Sequence, residues 1–250
     1  MRNALNLLLL VFSGLKFGKL LLPLASMLLT VGVYAMVFGW RYGAGLVSML
    51  VLHQLGYVVA ARYKGPDAGE AGWPTFIPFI GTFSRTQASP KDAQTDAFVA
   101  LGGPLMGAVG ATVCYFMARS YQADWLLAVA YAGLLLNLIS LIPVVPLAGG
   151  RITAVLSPRI WLLGVPLLGA LFLYQPSPLL LLIAVLALPH LVKAWRYRDD
   201  SEEALSYYAV PTAVKWEYGA YYLALAAYLA VMAHDVHEML TTARQAAGHV

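Results

Sequence analysis

Residues 44–62 read AGLVSMLVLHQLGYVVAAR. No formal charge interrupts the run before Arg62. About 20 apolar residues suffice for a helix to cross the ~30 Å hydrocarbon core of a bilayer. Only His53 and Gln54 are strongly polar, and they sit in its middle. Comparable runs lie at 20–40, 98–118, 125–146, 159–189 and 212–233. The run 159–189 is too long for one crossing and contains Pro176 and Pro178. Divided there, it gives spans at 159–174 and 178–193, and seven in all; kept as one bent or re-entrant element, it gives six. The expected fold class is an all-α polytopic membrane protein with six to seven transmembrane helices.

The composition of the whole chain agrees. Of 250 residues, 60% are hydrophobic and 11% charged, against roughly 25% charged in a soluble domain. Mean hydropathy is +0.72. These values exclude a water-soluble fold and a disordered chain. The single cysteine, Cys114, excludes an intramolecular disulfide and a cysteine-based zinc site; it reads as a small buried residue. The net charge of +4 does not point to nucleic acid, because the basic residues are scattered between apolar runs.

Lys and Arg set the orientation. With seven spans, thirteen of them fall on the side of Arg2, Arg62, Arg151 and Lys215, and three (Arg41, Arg119, Arg244) on the other. This places the N-terminus in the cytoplasm of, by expectation, a prokaryotic inner membrane. Residues 1–19 read as an interfacial segment, 44–151 as the core, and 152–250 as C-terminal helices, all within one membrane-embedded domain.

Between the second and third spans, residues 73–83 read WPTFIPFIGTF. Two prolines prevent a helix, and non-helical backbone survives at membrane depth only under a protein cover. A short re-entrant β-like hairpin fits these requirements, and its edge would suit pairing with an extended peptide. Phe76 and Ile80 are its candidate contact residues. A greasy interfacial loop has the same composition.

Polar groups inside the spans are functional candidates by default. They include His53 in the second span and Asn137 and Ser140 in the fourth, which leads into Pro143-Val144-Val145-Pro146-Leu147-Ala148-Gly149-Gly150-Arg151. Residues 52–62 resemble H-E-x-G-H-x-x-A-A-R, the zinc helix of site-2 proteases. Residues 140–151 resemble that family's second motif, N-L-I-P-x-x-P-L-D-G-G-R. Gly102-Gly103-Pro104-Leu105 resembles the start of its next helix, and 73–83 its hairpin. The resemblance covers most of 15–195. It implies an intramembrane zinc metalloprotease that cuts transmembrane helices. Two His at i and i+4 and an Asp would hold zinc, and a Glu would serve as general base.

The departures fall on the chemistry. His53 keeps the first ligand position. Gln54 stands at the general-base position, Tyr57 at the second ligand, Ala148 at the third, and Ser140 where an Asn is expected. A carboxamide does not exchange a proton at neutral pH, a neutral phenol is a poor ligand, and Ala148 has no donor atom. Zinc is therefore expected to be absent or weakly bound, and peptide hydrolysis lost, in a natural pseudoprotease or a silenced enzyme. The expected partners are a transmembrane helix or unfolded peptide and membrane lipid. Asn137, Ser140, Gly149 and Gly150 line the candidate groove, with Gly149 and Gly150 letting a peptide backbone come near. Gly103-x-x-x-Gly107 suits close helix packing and also admits a homo-oligomer. His53 can instead be a helix histidine bonded to Tyr57 one turn on. His234 and His237 read as a solvated helix end. Two rival functions remain: an active enzyme that recruits His190, and a transporter or channel.

Overall fold

The computed structural model describes residues 18–69, 74–78, 81–84 and 90–248. The expected interfacial segment lies largely outside these residues, as do Trp73, Phe79 and Ile80. The described chain is almost entirely helical, with nine α-helices: α1 (Gly18–Phe38), α2 (Trp40–Lys64), α3 (Ala93–Tyr121), α4 (Asp124–Ser140), α5 (Ala148–Thr153), α6 (Gly164–Tyr174), α7 (Pro178–Trp195), α8 (Glu202–Ser206) and α9 (Thr212–Gly248). Two 3-10 turns, Gly65–Ala68 and Pro158–Leu163, join them.

Among the described residues, five helices are long and apolar enough to cross a membrane: α1, α2, α3, α7 and α9. Large apolar side chains such as Leu28, Met36, Val109, Phe116 and Val185 face outward on them. In water that surface would drive aggregation; in lipid it is solvated. The chain is accordingly an all-α membrane protein.

Two of the expected runs form shorter helices. The run 125–146 is helical only as far as Ser140. Pro143 and Pro146 follow; a proline lacks the N–H a helix needs, and it disfavours helix in the residue before it. Residues 141–147 therefore turn, although they are as apolar as the helix they leave. The run 159–174 begins as the 3-10 turn and becomes α-helix at Gly164.

Helices α2, α3 and α4 form the centre of the bundle. Gly56 of α2 and Gly102 of α3 meet backbone to backbone, and a Cβ on either would overlap the other's carbonyl. On α4, Val129, Ala130 and Leu134 are fully buried. The last helix α9 lies along α4 through Leu225, Leu229, Ala233 and Val236. Helix α1 turns into α2 at Gly39, whose φ of +86° is open to glycine, and packs there through Tyr34, Leu46 and Val47. Asp92 caps α3 by accepting the Thr95 N–H at 2.7 Å.

Strands β1 (Pro74–Ile77) and β2 (Gly81–Ser84) pair antiparallel, with Phe76 opposite Thr82. β1 lies against α1. The Phe76 N–H donates to Ser26 Oγ at 3.0 Å, so one outer-edge donor of β1 is taken by helix α1.

Candidate functional site

The spacing of His53 and Tyr57 places both side chains on one face of α2. Tyr57 OH lies 2.9 Å from His53 Nε2, and the rings meet edge to face at 4.9 Å. Across the helix pair, Asn137 Oδ1 lies 2.7 Å from His53 Nδ1. The Asn137 amide nitrogen donates to Gly133 O at 2.7 Å, which fixes the orientation of the carboxamide. Its oxygen must then accept, so Nδ1 of His53 carries the proton. In the neutral ring Nε2 is left as acceptor, and the Tyr57 hydroxyl donates to it. The chain of bonds closes, with each donor aimed at an acceptor.

Helix α3 seals this network with glycines. A Cβ on Gly103 would stand 2.5 Å from Tyr57 Cζ and 2.9 Å from His53 Nε2. A Cβ on Gly107 would overlap the Asn137 carboxamide. Asn137 is 1% exposed. These glycines therefore serve contact within the bundle.

The other sequence candidates fall around this centre. Gln54 is buried. Ala148 opens α5 and is packed in the same apolar cluster as Leu141 and Ile152, presenting only a methyl group. Ser140 Oγ donates to the Asn137 carbonyl at 2.7 Å. Gly149 and Gly150 are buried against the backbone of the chain's own 141–145 turn, where a Cβ on either would collide. The close backbone approach at this glycine pair is thus filled from within. Thr153 Oγ1 donates to Gly149 O, and Trp161 Nε1 to Gly150 O, both at 2.7 Å. Phe76 is buried, and Ile80 lies outside the described residues. His190 Nδ1 lies 3.4 Å from the carbonyl of Leu186 in its own helix, and its ring abuts Trp161. His234 pairs with Glu238 at 3.4 Å, whereas His237 packs on Tyr131.

Sequence reasoning passed over a second set of polar residues. Asp96, one turn into α3, accepts from both Nε (2.9 Å) and Nη2 of Arg151 on α5. The Arg151 guanidinium lies 5.9 Å from the centre of the Tyr57 ring. Tyr207, in the connection between α7 and α9, lies near enough to Asp96 to feel its charge. Burial opposes the Arg151 charge most strongly, but the Asp96 carboxylate, with Tyr57 and Tyr207 adding to it, outweighs burial and the guanidinium pKa is raised. Burial, with the Asp96 carboxylate adding to it, holds the Tyr207 hydroxyl above its ordinary range.

Zinc sites use three or four protein donors. Here one imidazole nitrogen already accepts a phenolic proton, the neighbouring phenol spends that proton on it, and the third position is a methyl group. These residues do not fit zinc. Among the described residues, no three His, Cys, Asp or Glu side chains cluster as a metal-holding group. No family profile, curated protein or solved structure matches the chain.

Proposed function

We propose that the chain is a site-2-protease-like membrane scaffold in which a hydrogen-bonded network takes the place of the catalytic metal. Its retained activity is to hold a transmembrane helix or a peptide unwound from one. The observation that carries this proposal is the donation of the Tyr57 hydroxyl to His53 Nε2 at 2.9 Å, the nitrogen lone pair a ligand histidine would offer. Order and spacing of the 52–62 and 140–151 motifs support the family relationship. In this proposal there are seven crossings, with α4 and the 158–174 segment as short ones. The basic end of the bundle is cytoplasmic by the lysine and arginine bias.

The hairpin is the docking element. Ser26 takes the Phe76 N–H of β1, so the peptide adds along the outer edge of β2, through the main chain of Thr82. Main-chain pairing holds extended peptides with little regard to side chain. Photocrosslinkers at Ile80 and Thr82 test this in native membranes. Capture of a membrane polypeptide at both sites, competed by excess of a helical peptide, is the expected result. No capture at either site ends the binding proposal.

A further inference from the structure

On the side of α3 turned away from His53, α3 and α9 bound an apolar groove of about 480 Å³. Leu105, Val109, Val113 and Phe116 form its α3 wall, and each is more than half exposed. Their spacing sets all four on one helix face. Leu225 and Tyr228 form the α9 wall. Helix α9 leans on α4 and meets α3 at a polar contact, where Tyr228 OH lies 2.5 Å from Thr112 Oγ1. Thr112 Oγ1 donates its own proton to Ala108 O at 2.7 Å, so the Tyr228 hydroxyl donates to Thr112. Both hydroxyl protons are spent within the wall, and neither is left for an occupant.

The groove has the length of one leaflet and a cation at its end. From Leu105 to Phe116 the helix rises about 16 Å, close to half of the ~30 Å hydrocarbon core. Arg119 stands one turn further along the same face and is exposed. Its guanidinium donates to Tyr115 OH at 3.0 Å and lies over that ring. Among the described residues it pairs with no carboxylate, and most of its five N–H groups stay open. Tyr121 and Trp125, both exposed, mark the membrane–water interface at this level. The walls do not suit another helix. Close helix packing uses small residues, and those of α3 point inward: Gly103 to Tyr57, Gly107 to Asn137 and Gly110 to Leu52. The groove face carries bulky side chains instead.

From this geometry we infer that the α3–α9 groove is a phospholipid site: one acyl chain lies along it, and the lipid phosphate pairs with Arg119. An acyl chain needs no hydrogen bond, bends to an uneven wall, and is the occupant that the bilayer supplies at this depth. The guanidinium is complementary to the phosphate in charge and in its forked geometry. The site lies on the opposite face of α3 from the His53 network and does not depend on a bound helix or peptide.

The test uses the full chain in phosphatidylglycerol vesicles. The probe is phosphatidylglycerol with a diazirine along one acyl chain, and diacylglycerol bearing the same chain is the phosphate-free control. Peptide mass spectrometry locates the crosslinks. Labelling by the phospholipid probe should concentrate at Val109, Val113, Phe116 and Leu225, above that at Leu28 of α1 and Val185 of α7, which also face outward. Arg119→Ala should lower this excess by about two- to fivefold, the range of an exposed ion pair, to the level of the diacylglycerol control. Val113→Trp, which fills the groove from an exposed position, should remove the excess at Val109 and Leu225. Neither variant touches the buried core, so both should keep the fold. Equal labelling at the groove and at Leu28 and Val185 means bulk lipid alone and overturns the site. Labelling at the groove below theirs means that a helix or a second copy covers it, and also overturns the site. An excess that survives Arg119→Ala unchanged overturns the phosphate pairing.

Discussion

Replacing Asn137 by Leu should destabilise the bundle, and replacing its partners as well should restore most of the loss. Asn137 makes two bonds, to His53 Nδ1 and to Gly133 O, each at 2.7 Å. Leu keeps the branched four-atom outline of Asn, with methyl groups in place of the amide oxygen and nitrogen. Gly133 O still has its helical partner, but the His53 N–H has no other acceptor assigned to it. A buried donor left without an acceptor costs about 1–3 kcal/mol. Hydrogen bonds between membrane helices average ~0.6 and reach ~1.7 kcal/mol in double-mutant cycles. The single variant should therefore lose about 1–2 kcal/mol. In the triple variant His53→Leu, Tyr57→Phe, Asn137→Leu no polar atom is stranded, and replacing every partner by apolar groups is close to neutral. Reversible unfolding in mixed micelles measures both. If the triple variant loses at least the sum of its three single losses, the three side chains are independent and the closed network is wrong.

Gly107→Ala should destabilise by about 1–3 kcal/mol, because its Cβ would overlap a buried Asn137 that cannot retreat; the same micelle unfolding reads it. Ser26→Ala frees the Phe76 N–H and should raise hydrogen exchange at that amide by roughly tenfold while the amides of α4 stay protected. The combined change Gln54→Glu, Tyr57→His, Ala148→Asp, with and without Ser140→Asn, should gain about one zinc per chain by elemental analysis. Cleavage of a model transmembrane helix by the restored chain would mark a scaffold whose groove is intact, and zinc without cleavage one whose groove has also changed.

The membrane fold was legible because length and apolarity of a run bear directly on bilayer crossing. The end of α4 at Ser140 was not, since hydropathy continues unbroken to Pro146. The His53–Tyr57 contact follows from a four-residue spacing on one helix. Its closure by Asn137, 84 residues away, depends on how α2 and α4 pack, which no local pattern encodes. Gly149 and Gly150 announce a close backbone approach, but their neighbour is the 141–145 turn of the same chain. Arg151 entered the sequence reading as a topological charge and as the end of the 140–151 motif, and Asp96 did not enter it. Their pairing across α3 and α5 makes them a half-buried ion pair.

The central claim is that the His53 nitrogen facing the would-be metal position is already engaged by the Tyr57 proton. Nitrogen-15 NMR of the unaltered protein in micelles, with His53 assigned through His53→Gln, tests it directly. The account predicts a neutral ring protonated at Nδ1, unchanged when stoichiometric zinc is added. A ring protonated at Nε2, or a zinc-dependent shift of the Nε2 resonance at one metal per chain, would contradict it.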